Sequence, residues 1–257
     1  MHERFGAALL LTVLAGGATG FGSAIAYFIK KPKMSYLSFS LGFSAGVMIY
    51  ISFMELLPRA LENCGKVWCT IAFFIGIIII GLIDLLLPEA RNPHHYKDPS
   101  DIVRNHRDET LLRTGLITAL AIGIHNFPEG LATFGAALHD IELGIMIALA
   151  IAIHNIPEGI SVSMPIFYAT GNRRKAFICS FLSGISEPVG AIIGFLILMP
   201  FLSEGLIASL LAFIAGIMVY ISLDEILPMA HRYGRGHTVV IGLVIGMFIM
   251  ALSLLML

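Results

Sequence analysis

Apolar runs of about 20 residues recur along the chain near positions 5–29, 34–57, 67–87, 112–137, 141–168, 175–199, 205–228 and 237–257, separated by polar or Gly- and Pro-containing segments. An α-helix rises about 1.5 Å per residue, so a run of this length crosses a hydrocarbon layer of about 30 Å. The pattern predicts an all-α polytopic membrane protein with eight transmembrane helices, built as a single domain over 1–257. The first run resembles a secretory leader, but its length and its counterpart later in the chain predict a retained helix.

Composition agrees. Of 257 residues 57% are hydrophobic and 13% charged, about half the charged share of a soluble domain. A net charge of −1 gives no sign of nucleic acid as a partner. Lys and Arg are enriched in cytoplasmic loops. With eight crossings, 13 of them, from Lys30 through Arg91, Lys97, Arg104 and Arg173 to Arg235, fall on one side, and only Arg4, Arg59 and Lys66 on the other. Both termini are therefore expected outside, with the connection 88–111 in the cytoplasm. That connection contains His94, His95 and His106 and reads as a solvated loop or, alternatively, a weak metal-accepting segment.

Two internal repeats cut across the apolar pattern. Ala119–Gly130 (ALAIGIHNFPEG) returns 29 positions later as Ala148–Gly159 (ALAIAIHNIPEG), identical at ten of twelve positions. Phe43–Ala60 returns 170 positions later as Phe213–Ala230, identical at eleven of eighteen. A fainter match at an offset of 168 sets Gly16 and Gly22 against Gly184 and Gly190. Spans two and seven are five crossings apart and run in opposite directions. The expected arrangement is 3+2+3, an inverted repeat of helices 1–3 and 6–8 around the helix 4–5 pair, which is a pattern of secondary transporters with a site near the midplane.

The shorter repeat contains the chemistry. On a helix His125, Asn126 and Glu129 share one face, as do His154, Asn155 and Glu158. Pro128 and Pro157 have no N–H, so the carbonyls of Ile124 and Ile153 lose their helical partners and the helix can bend there. One intramembrane His or Asn is as readily a helix-to-helix hydrogen bond. Two matching triads of imidazole, amide and carboxylate instead suggest a divalent-cation site with ligands suited to zinc, iron or manganese. Glu187, before Pro188 in span six, is a third intramembrane acid. Insertion of Glu129, Glu158 and Glu187 costs roughly 8–10 kcal/mol, and protons or a bound cation must neutralise them.

Other polar positions admit two readings each. Glu55, Asp224 and Glu225 precede prolines near opposite membrane faces and are either stations on a cation path or snorkelling carboxylates. Met48 and Met218, at equivalent places in the long repeat, read as packing. Asp84 reads as facing water. Cys64 and Cys69 lie close together on the outer side, either paired or as two thiols.

At His125–Gly130 and His154–Gly159 the chain resembles the ZIP family of divalent metal transporters, and is most similar to its bacterial members. The likeness extends over all eight predicted helices. It implies a binuclear centre at mid-membrane, the first metal held by His125, Glu129, His154 and Glu158 with Met48 nearby. The second would be held by Asn126, Glu129, Asn155, Glu158 and Glu187, the motif glutamates bridging. It further implies import of Zn2+, Fe2+, Mn2+ and Cd2+ across the cell inner membrane, no enzymatic activity, movement of the helix 4–5 block, and room for a homodimer. Without the resemblance, an efflux antiporter and a channel fit the same ligands. A membrane-embedded metal hydrolase fits less well, because no His-Glu-x-x-His stretch is present.

Overall fold

The computed structural model describes residues 2–28, 33–86, 106–198, 203–234 and 237–256. Every regular element among them is helical: α1 (His2–Ala24), α2 (Met34–Ile51), α3 (Leu57–Cys64), α4 (Lys66–Leu86), α5 (His106–His139), α6 (Ile141–Thr170), α7 (Arg173–Leu198), α8 (Glu204–Ile221), α9 (Leu227–Tyr233) and α10 (His237–Met256). α2 runs into α3 and α8 into α9 without a break, so these elements make eight rods, one for each predicted span. Seven rods are long and apolar enough to cross a membrane. Among the described residues α5 is not one of them, although α6, with the same motif, is. The protein is an all-α, multi-pass membrane protein. Residues 106–111, expected in the connection, are the first turns of α5. His94, His95 and the rest of 87–105 lie outside the described residues.

Local chemistry sets the ends of the rods. A single residue, Asp140, separates α5 from α6, and its carboxylate accepts from the N–H groups of Glu142 (2.9 Å) and Leu143 (3.4 Å), capping α6 and folding the pair into an antiparallel hairpin. Gly171, at φ 63°, ends α6 in the left-handed conformation that glycine adopts without strain. Cys64 and Cys69 form a disulfide that ties the end of α3 to the first turn of α4, which decides between the two readings.

The long repeat is visible in the backbone. α2 and α3 are joined by a π-helical turn, Ser52–Leu56, and α8 and α9 by another, Ser222–Ile226. Leu57 N–H bonds Ser52 O and Leu227 N–H bonds Ser222 O, five residues back in each case. Each turn leads to a proline, Pro58 or Pro228, whose ring would press on the carbonyl four residues before it in an α-helix. The wider turn accommodates that ring. Ser52 and Ser222 donate to the carbonyls of Met48 and Met218, both at 2.7 Å.

Packing falls into matched pairs. α1 lies against α6 and α7 against α5, while α4 lies against α8 and α10 against α2. Small residues allow these approaches. A Cβ on Gly22 would collide with the carbonyl of Ile156 and one on Gly190 with that of Phe127; Gly46 meets Leu243 O as Gly216 meets Phe73 O. Outer faces of α4 and α10 present Trp68, Ile78, Leu85, Val244, Phe248 and Leu255, the surface that lipid requires.

Candidate metal centre

The expected ligands meet where α5, α6 and α7 pack together. His125, Asn126, Glu129, His154, Asn155, Glu158 and Glu187 are all at 0% exposure, although each is polar or ionisable. Glycines bring their helices into contact. A Cβ on Gly130, next to Glu129, would run into the Glu187 carbonyl, and one on Gly159, next to Glu158, into that of Thr19. The glycine that closes each His-Asn-x-Pro-Glu-Gly motif thus draws α7 or α1 down onto the carboxylates. Helices α5, α6 and α7 continue through Pro128, Pro157 and Pro188.

Across the hairpin each imidazole faces the opposite motif's carboxylate. His125 Nε2 lies 3.0 Å from Glu158 Oε1, and His154 Nε2 lies 3.5 Å from Glu129 Oε1 and 3.9 Å from Glu158 Oε1. His154 Nδ1 is 3.2 Å from the Ala150 carbonyl. That contact assigns the proton to Nδ1 and leaves the Nε2 lone pair towards the glutamates. Glu129 Oε1 and Oε2, Glu158 Oε2, Glu187 Oε2, His154 Nε2, Asn126 Oδ1 and Asn155 Oδ1 have no hydrogen-bond partner although fully buried. A buried acceptor left unsatisfied costs about 1–3 kcal/mol, more where charged. So many in one place form a donor set of imidazole nitrogen, carboxylate and amide oxygen, which fits a borderline divalent cation.

The arrangement is not yet a cage. Among the described residues no group of three or more His, Cys, Asp or Glu converges tightly enough to hold an ion as it stands; the expected ligands are turned onto one another. Met48, fully buried on α2, belongs to the apolar cluster against which Ile124 and Ile153, the residues before the two motif histidines, are packed. Ser44 Oγ lies 4.0 Å from its sulfur. Glu55 forms an ion pair with Arg59 at a partly exposed position, as a snorkelling carboxylate would. Glu225 is 4% exposed. The Asp84 side chain lies outside the described residues.

Two participants escaped the sequence reading. The carbonyl of Ala15 on α1 accepts from Asn155 Nδ2 at 2.8 Å, and that of Ser183 on α7 accepts from Asn126 Nδ2 at 3.3 Å. A main-chain oxygen leaves no mark in a residue pattern. The signal that points to them is the neighbouring pair Gly16 and Gly184, whose absent Cβ atoms let the two backbones meet.

A multi-pass helical protein with this buried donor set is a membrane transport protein for divalent cations, and comparison with known proteins gives the same class. The ZIP Zinc transporter family model matches residues 5–112 and 103–254. "Zinc transporter ZupT" of Clostridium perfringens (strain 13 / Type A) is 53% identical over 97% of this chain and 95% of its own length. The protein of that name from Lysinibacillus sphaericus (strain C3-41) is 55% identical over 96% of each, and that from Streptococcus mutans serotype c (strain ATCC 700610 / UA159) 50% identical over 100% and 99%. The chain belongs to the ZIP zinc transporter family. It is a divalent metal transporter and not an enzyme, as the sequence reading expected.

Proposed function

We propose that this protein imports divalent metal ions into the cytoplasm, Zn2+ foremost and Fe2+, Mn2+ and Cd2+ with it, through a binuclear site at mid-membrane. His125, Glu129, His154 and Glu158 hold the first ion, with Met48 beside it. Asn126, Glu129, Asn155, Glu158 and Glu187 hold the second. The observation that supports this most directly is the crossed pairing of two imidazoles with two buried carboxylates, surrounded by acceptors with no hydrogen bond. Only a cation or protons compensate several carboxylates buried together. Zinc as the main substrate follows from the relatives' names and from the two imidazoles.

The whole chain, 1–257, acts as one transport domain in the cell inner membrane, both termini outside, with 88–111, whose last residues open α5, on the cytoplasmic side. Its core is the 3+2+3 inverted repeat, supported by the matched helix pairs and the two π-helical turns. Helices α1, α5, α6 and α7 pack mainly with one another and touch the rest chiefly through α2 against α6 and α8 against α5. A block that contains every proposed ligand except Met48, which lies on α2, is thus set off from the remainder, as a block that shifts would be.

Purified protein in vesicles of known orientation, assayed for uptake of radioactive zinc, iron and manganese, tests the reading. Import predicts accumulation only when the outer face is presented to the ions. Accumulation from the opposite face alone establishes efflux and overturns import.

A further inference from the structure

Asn126 and Asn155 occupy equivalent positions in the two motifs, and their amides make equivalent bonds. Each NH2 group donates to the backbone of a neighbouring helix, Asn126 to Ser183 O on α7 and Asn155 to Ala15 O on α1. Ser183 and Ala15 correspond at the offset of 168 that relates α7 to α1. These bonds settle which way round each amide sits. Nitrogen faces a main-chain carbonyl, and Oδ1 is left buried without a hydrogen bond.

The equivalence breaks at one contact. Asn155 Nδ2 donates a second time, to Glu187 Oε1. At the same offset the counterpart of Glu187 is Thr19, so the third acid is present once and can side with only one asparagine. A primary amide has two N–H groups, and both of Asn155's are used, one on α1 and one on α7. Glu187 Oε2 is left without a hydrogen bond at a fully buried position.

We propose that Asn155 is a positioning residue for Glu187: its NH2 group clasps the Ala15 carbonyl and the Glu187 carboxylate together and so fixes the rotamer in which Glu187 offers Oε2 to the ion. Asn126 acts on the backbone of α7 alone, and the two motif asparagines are not interchangeable. The inference rests on Glu187 being a metal ligand, as proposed above.

A change of polarity tests the clasp. Asn155→Asp removes both donors and sets a carboxylate against the Glu187 carboxylate and the Ala15 carbonyl, three acceptors with nothing between them. Adding Glu187→Gln restores one donor and one acceptor in the reversed sense, at the net charge of the wild type. Asn126→Asp with Glu187→Gln has the same net charge but cannot form that contact. Melting of the metal-free protein in detergent and zinc uptake by proteoliposomes are the readouts.

Asn155→Asp is expected to lower the melting temperature and to raise KM for zinc roughly tenfold or more, the scale of a lost hydrogen bond to a charged group. The 155/187 double variant recovers most of the melting temperature, whereas the 126/187 double recovers none of what Asn126→Asp alone loses; zinc KM stays raised in both, because each lacks the Glu187 carboxylate. Glu187→Gln alone keeps the wild-type melting temperature, because its carbonyl still accepts from Asn155. A melting loss in the 155/187 double that equals the sum of the two single losses, or equal recovery of melting temperature in the 126/187 double, overturns the clasp. Should Asn155→Asp not be obtained folded, recovery of the 155/187 double as folded protein supports the clasp and failure to recover it overturns it. If wild-type vesicles move no divalent metal, the transport reading fails, while the melting comparison still decides whether the clasp exists.

Discussion

His125 on α5 and Glu158 on α6 face each other across the hairpin at 3.0 Å, Nε2 to Oε1, both at 0% exposure. The repeat relates this pair to His154 and Glu129, but the second pair is not a copy of the first. His154 Nε2 is 3.5 Å from Glu129 and also 3.9 Å from Glu158. Glu158 thus lies within reach of both imidazoles. A carboxylate has two oxygens and can bridge two ions, whereas an imidazole nitrogen binds only one.

Glu129→Ala and Glu158→Ala are therefore each expected to abolish zinc uptake, by roughly two orders of magnitude or more, the scale on which breaking a buried charged pair is felt. The protein should remain folded in the membrane. His125→Ala should lower uptake less, because in the proposed site it holds one ion only. Uptake rates in vesicles, normalised to protein content, check the order. Equal and mild losses across all ligand variants contradict a bridging role.

The imidazoles should set preference instead. Nitrogen ligands favour zinc-like ions over manganese by the Irving–Williams trend, while carboxylate and amide oxygens discriminate little. His154→Ala is expected to weaken zinc uptake more than manganese uptake, and so to make manganese a better competitor. Competition of each metal against radioactive zinc measures this. A uniform loss for every ion means that His154 does not set selectivity.

Much of this site could be read from the chain and some could not. The motif His-Asn-x-Pro-Glu-Gly stands out because five polar or helix-disturbing residues interrupt an apolar run twice over, and the eight rods were legible as apolar runs, seven of them apolar enough to cross a membrane. The π-helical turns at Ser52–Leu56 and Ser222–Ile226 could not be read, since a shift of the backbone hydrogen bond from four residues back to five leaves no mark in residue identity. Nor could the roles of the Ala15 and Ser183 carbonyls, because a main-chain acceptor has no residue identity. The start of α5 was missed for a third reason: its first turns, from His106, are charged and resemble a loop by composition although they are helical.

Asp140 gives a test of the fold that leaves the site untouched. Its carboxylate caps α6 through the N–H groups of Glu142 and Leu143 at an exposed position. Asp140→Ala should destabilise the protein by about 1 kcal/mol, typical for loss of an N-cap. Selectivity among ions should stay as in the wild type. Melting in detergent and the competition assay separate the two effects, and a changed ion preference would show that the hairpin tip communicates with the site.

The glycines that close the two motifs give the sharpest contrast available within single helices. A methyl group on Gly130 would collide with the Glu187 carbonyl, and on Gly159 with the Thr19 carbonyl, whereas on Gly17 it would meet nothing within 4 Å. In a helix interior alanine is otherwise preferred over glycine by about 1 kcal/mol. Gly17→Ala should therefore leave stability unchanged or raise it. Gly130→Ala and Gly159→Ala should lower it by about 1–3 kcal/mol, the range for overpacking, because a backbone cannot move aside as a side chain can. They should also differ in function. Gly130→Ala pushes α7, and Glu187 with it, away from Glu129, while Gly159→Ala displaces α1, which contributes only the Ala15 carbonyl. Zinc affinity should accordingly fall further in Gly130→Ala than in Gly159→Ala at comparable loss of melting temperature. Equal affinity losses in the two variants would mean that the seating of α7 on α5 has no particular part in placing the third carboxylate.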